Sequence, residues 1–316
     1  MMVRGQLAQL LAPGIHKLFV HWLDTLQRSE EGSHWINEET SSQAYEDEVE
    51  FSGFGPMVPK PEGESVTYVD AVQGGSIRYI HSTTALGCRT SFELYEDDQY
   101  NLIKQVPKAL ARSAFFSREQ AKANVLNLGF TTVKTTDGVS LFNNAHPLLG
   151  GTQATNIGPG LSGVITTAGT FPNRPATDVD LSFTAIQNAI DQFERLIDSQ
   201  GLPIVLKPGL LMIPPELKWI AREILGSPHK PYTADNEINA LIKEDLHYFV
   251  GHYFTSHSAW FLLCDKSQHT LNHFVRRPLD EDYADDFDTR SIKQIVFERY
   301  SDGATSWMGT WGSNGP

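Results

Sequence analysis

The sequence predicts an α+β fold in which sheets and helices occupy separate stretches of chain. Three observations point there. Runs such as HYFVGHYFT, AWFLLC and IKQIVFERYS are rich in aromatic and β-branched residues, as strands are. Other segments repeat apolar residues at helical spacing, and the 25 Gly and 17 Pro spread over 316 residues imply many turns between them.

The elements follow in chain order. Leu11, Ile15, Leu18, Trp22 and Leu26 share one helical face, which calls for a partner surface either in the chain's own core or on another subunit. From Ser29 to Glu64 acids, Gly and Pro break every periodicity, so this stretch reads as an extended arm. VTYVDAV and SIRYIHS read as two strands of a hairpin reversing at Gln73, Gly74 and Gly75, because Gly supplies the positive φ of a tight turn. A third strand, CRTSFEL, precedes a long helix running towards Leu128 with Gly129 past its end. Its start lies near Glu96 or Asp97, with Pro107 either kinking it or marking the true start.

Residues 131–178 read as mostly loop. Ile186, Ile190, Phe193 and Ile197 then define a helix, capped by Asp178 or Asp180 and ended by Gly201. The buried strand LLMI leads through Pro214 to a helix opening at Pro215, the favoured first-turn position. Strand-like HYFVGHYFT, AWFLLC and NHFVRR follow, then an acidic turn DEDYADDFD. A last strand pair, IKQIVFERYS and ATSWMGTW, reverses at Asp302-Gly303.

Bulk properties narrow the function. A net charge of -13 argues against a basic nucleic-acid groove of the usual kind. Two cysteines imply no disulfide framework and suit a reducing cytoplasm. Pro13, Gly14, His16, Lys17 and His21 interrupt the apolar N-terminus, so neither export nor a membrane span is expected.

Candidate chemistry is sparse. His146, in the loop DGVSLFNNAHPLLGG, titrates in the right range for a base but needs partners. GPGLSG at 158–163 matches a dinucleotide-loop pattern without the flanking strand and helix that such a loop requires. His247, His252 and His257 alternate between sheet faces, and His269 and His273 have a zincin spacing without its Glu. The acids from Asp280 to Asp288 lack EF-hand spacing and read as a solvated turn or a contact with a neighbour. No nucleophile elbow, phosphate-binding loop or kinase signature occurs, so no active site, metal or cofactor is expected.

Taken in order, several stretches resemble the Mu-type (T-protein-like) branch of tailed-bacteriophage major capsid proteins. They are YVDAVQGGSIRYIHSTTALGCRTSFELYEDDQYNLIKQVPKALARSA, DGVSLFNNAHPLLGG, LSFTAIQNAIDQFERLIDSQGLPIVLKPGLLMIPPELKWIAREIL, AWFLLCD and FDTRSIKQIVFERYSDGATSWMGTWGS. The resemblance spans roughly residues 50–312 and implies the HK97-like capsid fold. It implies an N-terminal arm over 1–50, an extended hairpin loop with flanking strands over 51–95, and a peripheral domain with a spine helix over 96–178. An axial domain over 179–278 and return strands of the peripheral domain over 279–316 complete it. It makes His146 a structural loop residue.

The implied function is a virion shell protein, assembled in the host cytoplasm into hexamers and pentamers of an icosahedral head. That head encloses double-stranded DNA without sequence-specific binding and meets scaffolding, portal and decoration proteins, with no membrane involved. Apolar residues that a hairpin cannot bury at home, Tyr68, Ile77 and Tyr79, together with Arg78 and the helical Trp22, are the expected subunit contacts. Two alternatives are a metal-dependent hydrolase using His146 with the histidines of 247–273, and an encapsulin-like cargo compartment of the same fold.

Overall fold

The computed structural model describes residues 7–52, 54, 57, 59–66, 68, 72–91, 93–94, 97, 105–147, 170–197, 203–230, 237–286, 288–289 and 291–316. The chain divides into two units, Met1–Glu46 with Tyr79–Ala123 and His273–Asp302, and Asp47–Arg78 with Asn124–Asn272 and Gly303–Pro316.

The first unit carries helix α1 (Leu7–Gln27), strands β1 (Asn37–Thr40) and β4 (Ser82–Ser91), and most of helix α2 (Gln105–Asn127). It also carries most of the long strands β10 (Leu271–Asp286) and β11 (Ser291–Ala304). Its sheet has the order β1-β10-β11-β4, with β11 antiparallel to β4 from Ser291 opposite Ser91 to Tyr300 opposite Ser82. Phe19 of α1 is buried with Leu110, Ala111 and Ala114 of α2 and Val296 of β11, while Trp22, Leu23 and Leu26 flank them. The helical face of α1 thus meets its own core at Trp22 and Leu26, with Phe19 at its centre. The side chains of Leu11 and Ile15 lie outside the described residues. Pro107 sits in the first turn of α2, where its missing N–H costs no hydrogen bond. Residues 98–104, between the two predicted starts, lie outside the described residues.

The second unit is built on the sheet β12-β9-β7-β8, comprising β7 (Leu210–Ile213), β8 (His247–Val250), β9 (Trp260–Leu263) and β12 (Thr310–Ser313). β7 runs parallel to β8 and antiparallel to β9. Every residue of β9 and β12 is buried, which is why WFLL reads as a continuous apolar run and not as an alternation. Helix α3 (Phe183–Glu194) buries Ile186, Ala189, Ile190 and Phe193, and α4 (Lys218–Gly226) follows a 3-10 turn that opens at Pro215. Phe130, Phe142, Phe254 and Phe261 stack at centroid distances of 4.8–5.8 Å beside the sheet.

Several sequence expectations are corrected. Residues 72–80 form one strand, β3 (Val72–Ile80), which runs straight through Gln73, Gly74 and Gly75 and pairs with β2 (Tyr45–Ser52). The glycines serve close approach instead of a turn: a Cβ on Gly75 would lie 1.8 Å from the carbonyl oxygen of Thr136. The supposed arm therefore contains two strands. Asp302-Gly303 lies inside β11, held there by His273, whose Nδ1 is 2.5 Å from Oδ1 of Asp302. The reversal before β12 comes at Gly309, with φ at 79°. Most of the acidic turn is the end of β10. Ser182, not Asp178 or Asp180, caps α3 by accepting the N–H of Ala185 at 3.2 Å. Ile197 is buried beyond the end of that helix, and Gly201 falls outside the described residues.

Candidate functional site

The loop that carries His146 is fixed by a tight turn. Gly138 has φ of 80°, Gly138 N–H donates to the Thr135 carbonyl, and Oδ1 of Asp137 accepts the N–H of Val139 at 3.0 Å and the hydroxyl of Thr135 at 2.5 Å. That aims Oδ2 of Asp137 at Nδ1 of His146, 2.6 Å away. On the other side Nε2 of His146 lies 3.1 Å from Oδ1 of Asn173, which already accepts the N–H of Asn143 at 2.8 Å, while Nδ2 of Asn173 donates to the Leu141 carbonyl.

Both ring nitrogens are thus taken up by oxygen atoms of the surrounding loop, Oδ2 of Asp137 and Oδ1 of Asn173. The ring is wholly buried and stacks on Trp307 at 4.5 Å and 17°. Burial works against the Asp137 charge, but the hydrogen bonds from His146, Thr135 and Val139 outweigh it and hold the carboxyl below its ordinary range. This is a structural knot tying strand β5 (His146–Pro147) and its partner β6 (Thr170–Phe171) to the chain before and after them.

The other histidines do not join it. His247, His252 and His257 are exposed, and only His247 lies in a strand, so the expected alternation along one strand does not occur. His273 is in a strand, as the zincin reading disfavours. Among the described residues no group of three His, Cys, Asp or Glu is placed to hold a metal ion. GPGLSG lies outside the described residues.

A second polar centre holds the N-terminal stretch to α2. The ammonium of Lys122, fully buried, lies 2.5 Å from Glu30, 2.6 Å from Glu38 and 3.5 Å from Glu119. Burial opposes its charge, yet the contacts with Glu30 and Glu38 prevail and raise its pKa. Oε2 of Glu119 accepts the N–H groups of Glu31 and Gly32, both at 2.8 Å. A Cβ on Gly32 would lie 2.3 Å from Cδ of Lys122, so glycine alone lets the chain pass this close.

The expected contact residues separate. Tyr79 does bury its ring at home: it is 4 % exposed and packs edge-on to Phe274 at 4.9 Å, which corrects the expectation that it cannot. Ile77 is half-buried, and Arg78 forms a two-pronged ion pair with Asp47 across the β2–β3 ribbon at 2.7 Å on both bonds. Trp22 is half-buried, with the Lys108 ammonium 3.9 Å above its ring. Tyr68 is 91 % exposed.

Sequence reasoning missed further exposed apolar residues in this part of the chain: Phe51, Phe54, Met57, Val66 and Ile80. The signal was present in YEDEVEF. Glu46, Glu48 and Glu50 alternate onto one face, where they meet Ser41, Asn272 with Thr305, and Thr136, while Tyr45, Val49 and Phe51 take the other and stay open. Among the described residues, the stretch 45–68 leaves Tyr45, Val49, Phe51, Phe54, Met57, Val66 and Tyr68 exposed, and exposed apolar patches mark protein–protein contacts.

Comparison with known proteins identifies a family and a fold. A family model described as phage capsid protein matches residues 83–309. Among solved structures, the capsid of cyanophage P-SCSP1u is similar with a TM-score of 0.55 at 9 % identity, over 88 % of this chain and 85 % of that one. The mature capsid of bacteriophage PhiM1 gives 0.54 at 10 % identity, over 89 % and 85 %. The procapsid of bacteriophage JBD30 gives 0.53 at 15 % identity, over 98 % and 76 %. These likenesses carry the fold, and the α+β, HK97-like expectation agrees with it. No curated protein matches the chain in sequence.

Proposed function

The chain belongs to the phage capsid protein family and is a structural shell protein, not an enzyme, and from that premise we propose that it is the major head subunit of a Mu-type tailed phage. In this reading it assembles in the host cytoplasm into hexamers and pentamers around double-stranded DNA. Scaffolding, portal and decoration proteins are its further partners. Helix α2 is the spine helix of a peripheral domain, residues 179–278 make the axial domain, and the β2–β3 ribbon with Tyr68 is the extended loop that lies over a neighbouring subunit.

The observation that carries the proposal is that ribbon. Phe51 of the ribbon and Phe54, Met57, Val66 and Tyr68 of the stretch that joins its strands are each exposed, Phe51 with its ring against Phe54, and Arg78 and Asp47 brace the ribbon without burying it. Head-to-tail use of one such surface by identical chains closes rings when the rotation closes. The solved relatives are themselves capsid and procapsid particles, which supports self-association.

The test is negative-stain electron microscopy and light scattering of the purified chain, alone and co-expressed with neighbouring phage proteins. Rings, tubes or shells of repeating hexamers are expected. A uniform monomer or dimer in both preparations would sink the proposal.

A further inference from the structure

Charge is unevenly placed on this acidic chain. Of its 38 acidic residues none falls in 105–118, where Lys108, Arg112 and Arg118 occur. Arg118 turns inward to Glu30, but Lys108 and Arg112 are exposed, and among the described residues neither is paired with a carboxylate. They belong to one open stripe of α2, Gln105, Lys108, Ala109, Arg112, Ser113, Phe116 and Ser117, which lines a shallow groove. The opposite face of the helix, Leu110, Ala111, Ala114 and Phe115, is buried in the core.

We propose that this stripe of α2 is the surface that meets the phosphate backbone of the enclosed duplex DNA, an inference that rests on the capsid reading. Lys108 and Arg112 stand one helical turn apart, about 6 Å along the axis, close to two phosphate steps of a duplex strand at about 3.4 Å each. Ala109, Ser113 and Ser117 between and beside them are small enough to let a bulky backbone approach, and the serine hydroxyls add neutral donors. The Lys108 ammonium rests 3.9 Å from the Trp22 ring centroid, a contact that leaves its charge in place. An acidic helix from an assembly protein would need apolar anchors as well as charge, and the groove offers it only Phe116. On a subunit with a net charge of -13, a carboxylate-free basic stripe selects the side a polyanion can approach, and repetition across a shell multiplies a weak contact.

The experiment measures binding of a fluorescein-labelled 25-base-pair duplex by anisotropy between 50 and 200 mM salt, with microscopy of the same samples. Lys108→Gln/Arg112→Gln is compared with the charge-keeping Lys108→Arg/Arg112→Lys and with Lys207→Gln/Lys243→Gln, two exposed cations elsewhere. The stripe variant is expected to bind at least tenfold more weakly at 100 mM salt, with its log-log salt slope reduced by about two, while the other two match the parent. Equal losses in the Lys207/Lys243 variant, parent-like binding by the stripe variant, or tighter binding of poly-glutamate than of duplex would overturn the inference, the last in favour of an acidic protein partner. Particle formation is scored separately, so an unassembled chain that still binds duplex through the stripe counts against the shell reading alone.

Discussion

Oδ2 of Asp137 and Nδ1 of His146 lie 2.6 Å apart, both all but closed to solvent, and the partners of each are used up by neighbouring loop atoms. A buried pair of this kind contributes little when intact relative to an apolar pair but costs a great deal when halved. His146→Ala strands Asp137 and Asn173 and removes the face on which Trp307 stacks. It should cost about 3–5 kcal/mol, read from urea unfolding of the soluble chain. Asp137→Asn should cost somewhat less, because the amide still accepts from the ring. Parent-like stability for His146→Ala would show that the knot is dispensable.

Gly75 gives a prediction of a different kind. Because a Cβ there meets the Thr136 carbonyl oxygen at 1.8 Å, Gly75→Ala must move backbone against backbone. A loss of about 2 kcal/mol or more is expected, in contrast to Gly63→Ala, which meets nothing and strains only its own φ of 86° at a cost of about 1–2 kcal/mol. Paired thermal melts of the two variants decide it.

Stability should fall with acid before the carboxylates titrate. Burial pushes the imidazole of His269 down to about 4, with Lys266 adding to the effect, and burial next to Arg299 depresses His81, which sits between the hydroxyls of Ser41 and Ser301 at 3.0 Å each. A histidine whose folded pKa lies below its unfolded value, about 6.5, stabilises the fold above that pH and loses this contribution as the pH drops through the folded value. For His269 the loss approaches about 3 kcal/mol near pH 4. Urea midpoints between pH 7 and 4 should therefore decline steadily, and His269→Gln should flatten part of the decline. A midpoint independent of pH over that range would contradict it.

Tyr68 separates folding from association. Its ring is open to water, so Tyr68→Ser should leave the melting temperature within about 1 °C while reducing particle yield severely. Tyr79→Ser, by contrast, should lower stability itself, since that ring is packed on Phe274. Sedimentation of assembled against unassembled material, alongside melting curves, distinguishes the two.

Legibility in the sequence followed the origin of each signal. LLMI, Pro215 and the apolar face of α3 were readable because burial and a missing N–H act locally. The same kind of local signal misled at Gly74-Gly75 and Asp302-Gly303, where glycine answers to a close neighbour or the aspartate to a distant histidine, and neither is adjacent in sequence. His146 was noticed for its chemistry, but its partners lie 9, 27 and 161 residues along the chain at Asp137, Asn173 and Trp307. Lys122 gave no signal at all, since nothing about a lysine in a helix announces that three glutamates will enclose it. Tyr68 stood out as an apolar residue of the expected hairpin with nothing at home to cover it, whereas the open side of β2 required reading every second residue.

The enclosure of Lys122 bears on the role of the N-terminal stretch. Two of its counter-charges, Glu30 and Glu38, come from the stretch that looks like a tail. With that stretch closed on α2 the lysine is fully buried, and Glu30 and Glu38 supply counter-charges that water would otherwise provide. Residues 30–38 thus act as a latch and not as a streamer. The N-terminal stretch is therefore part of the first unit's interior, and its loss is expected to strand a buried cation on α2.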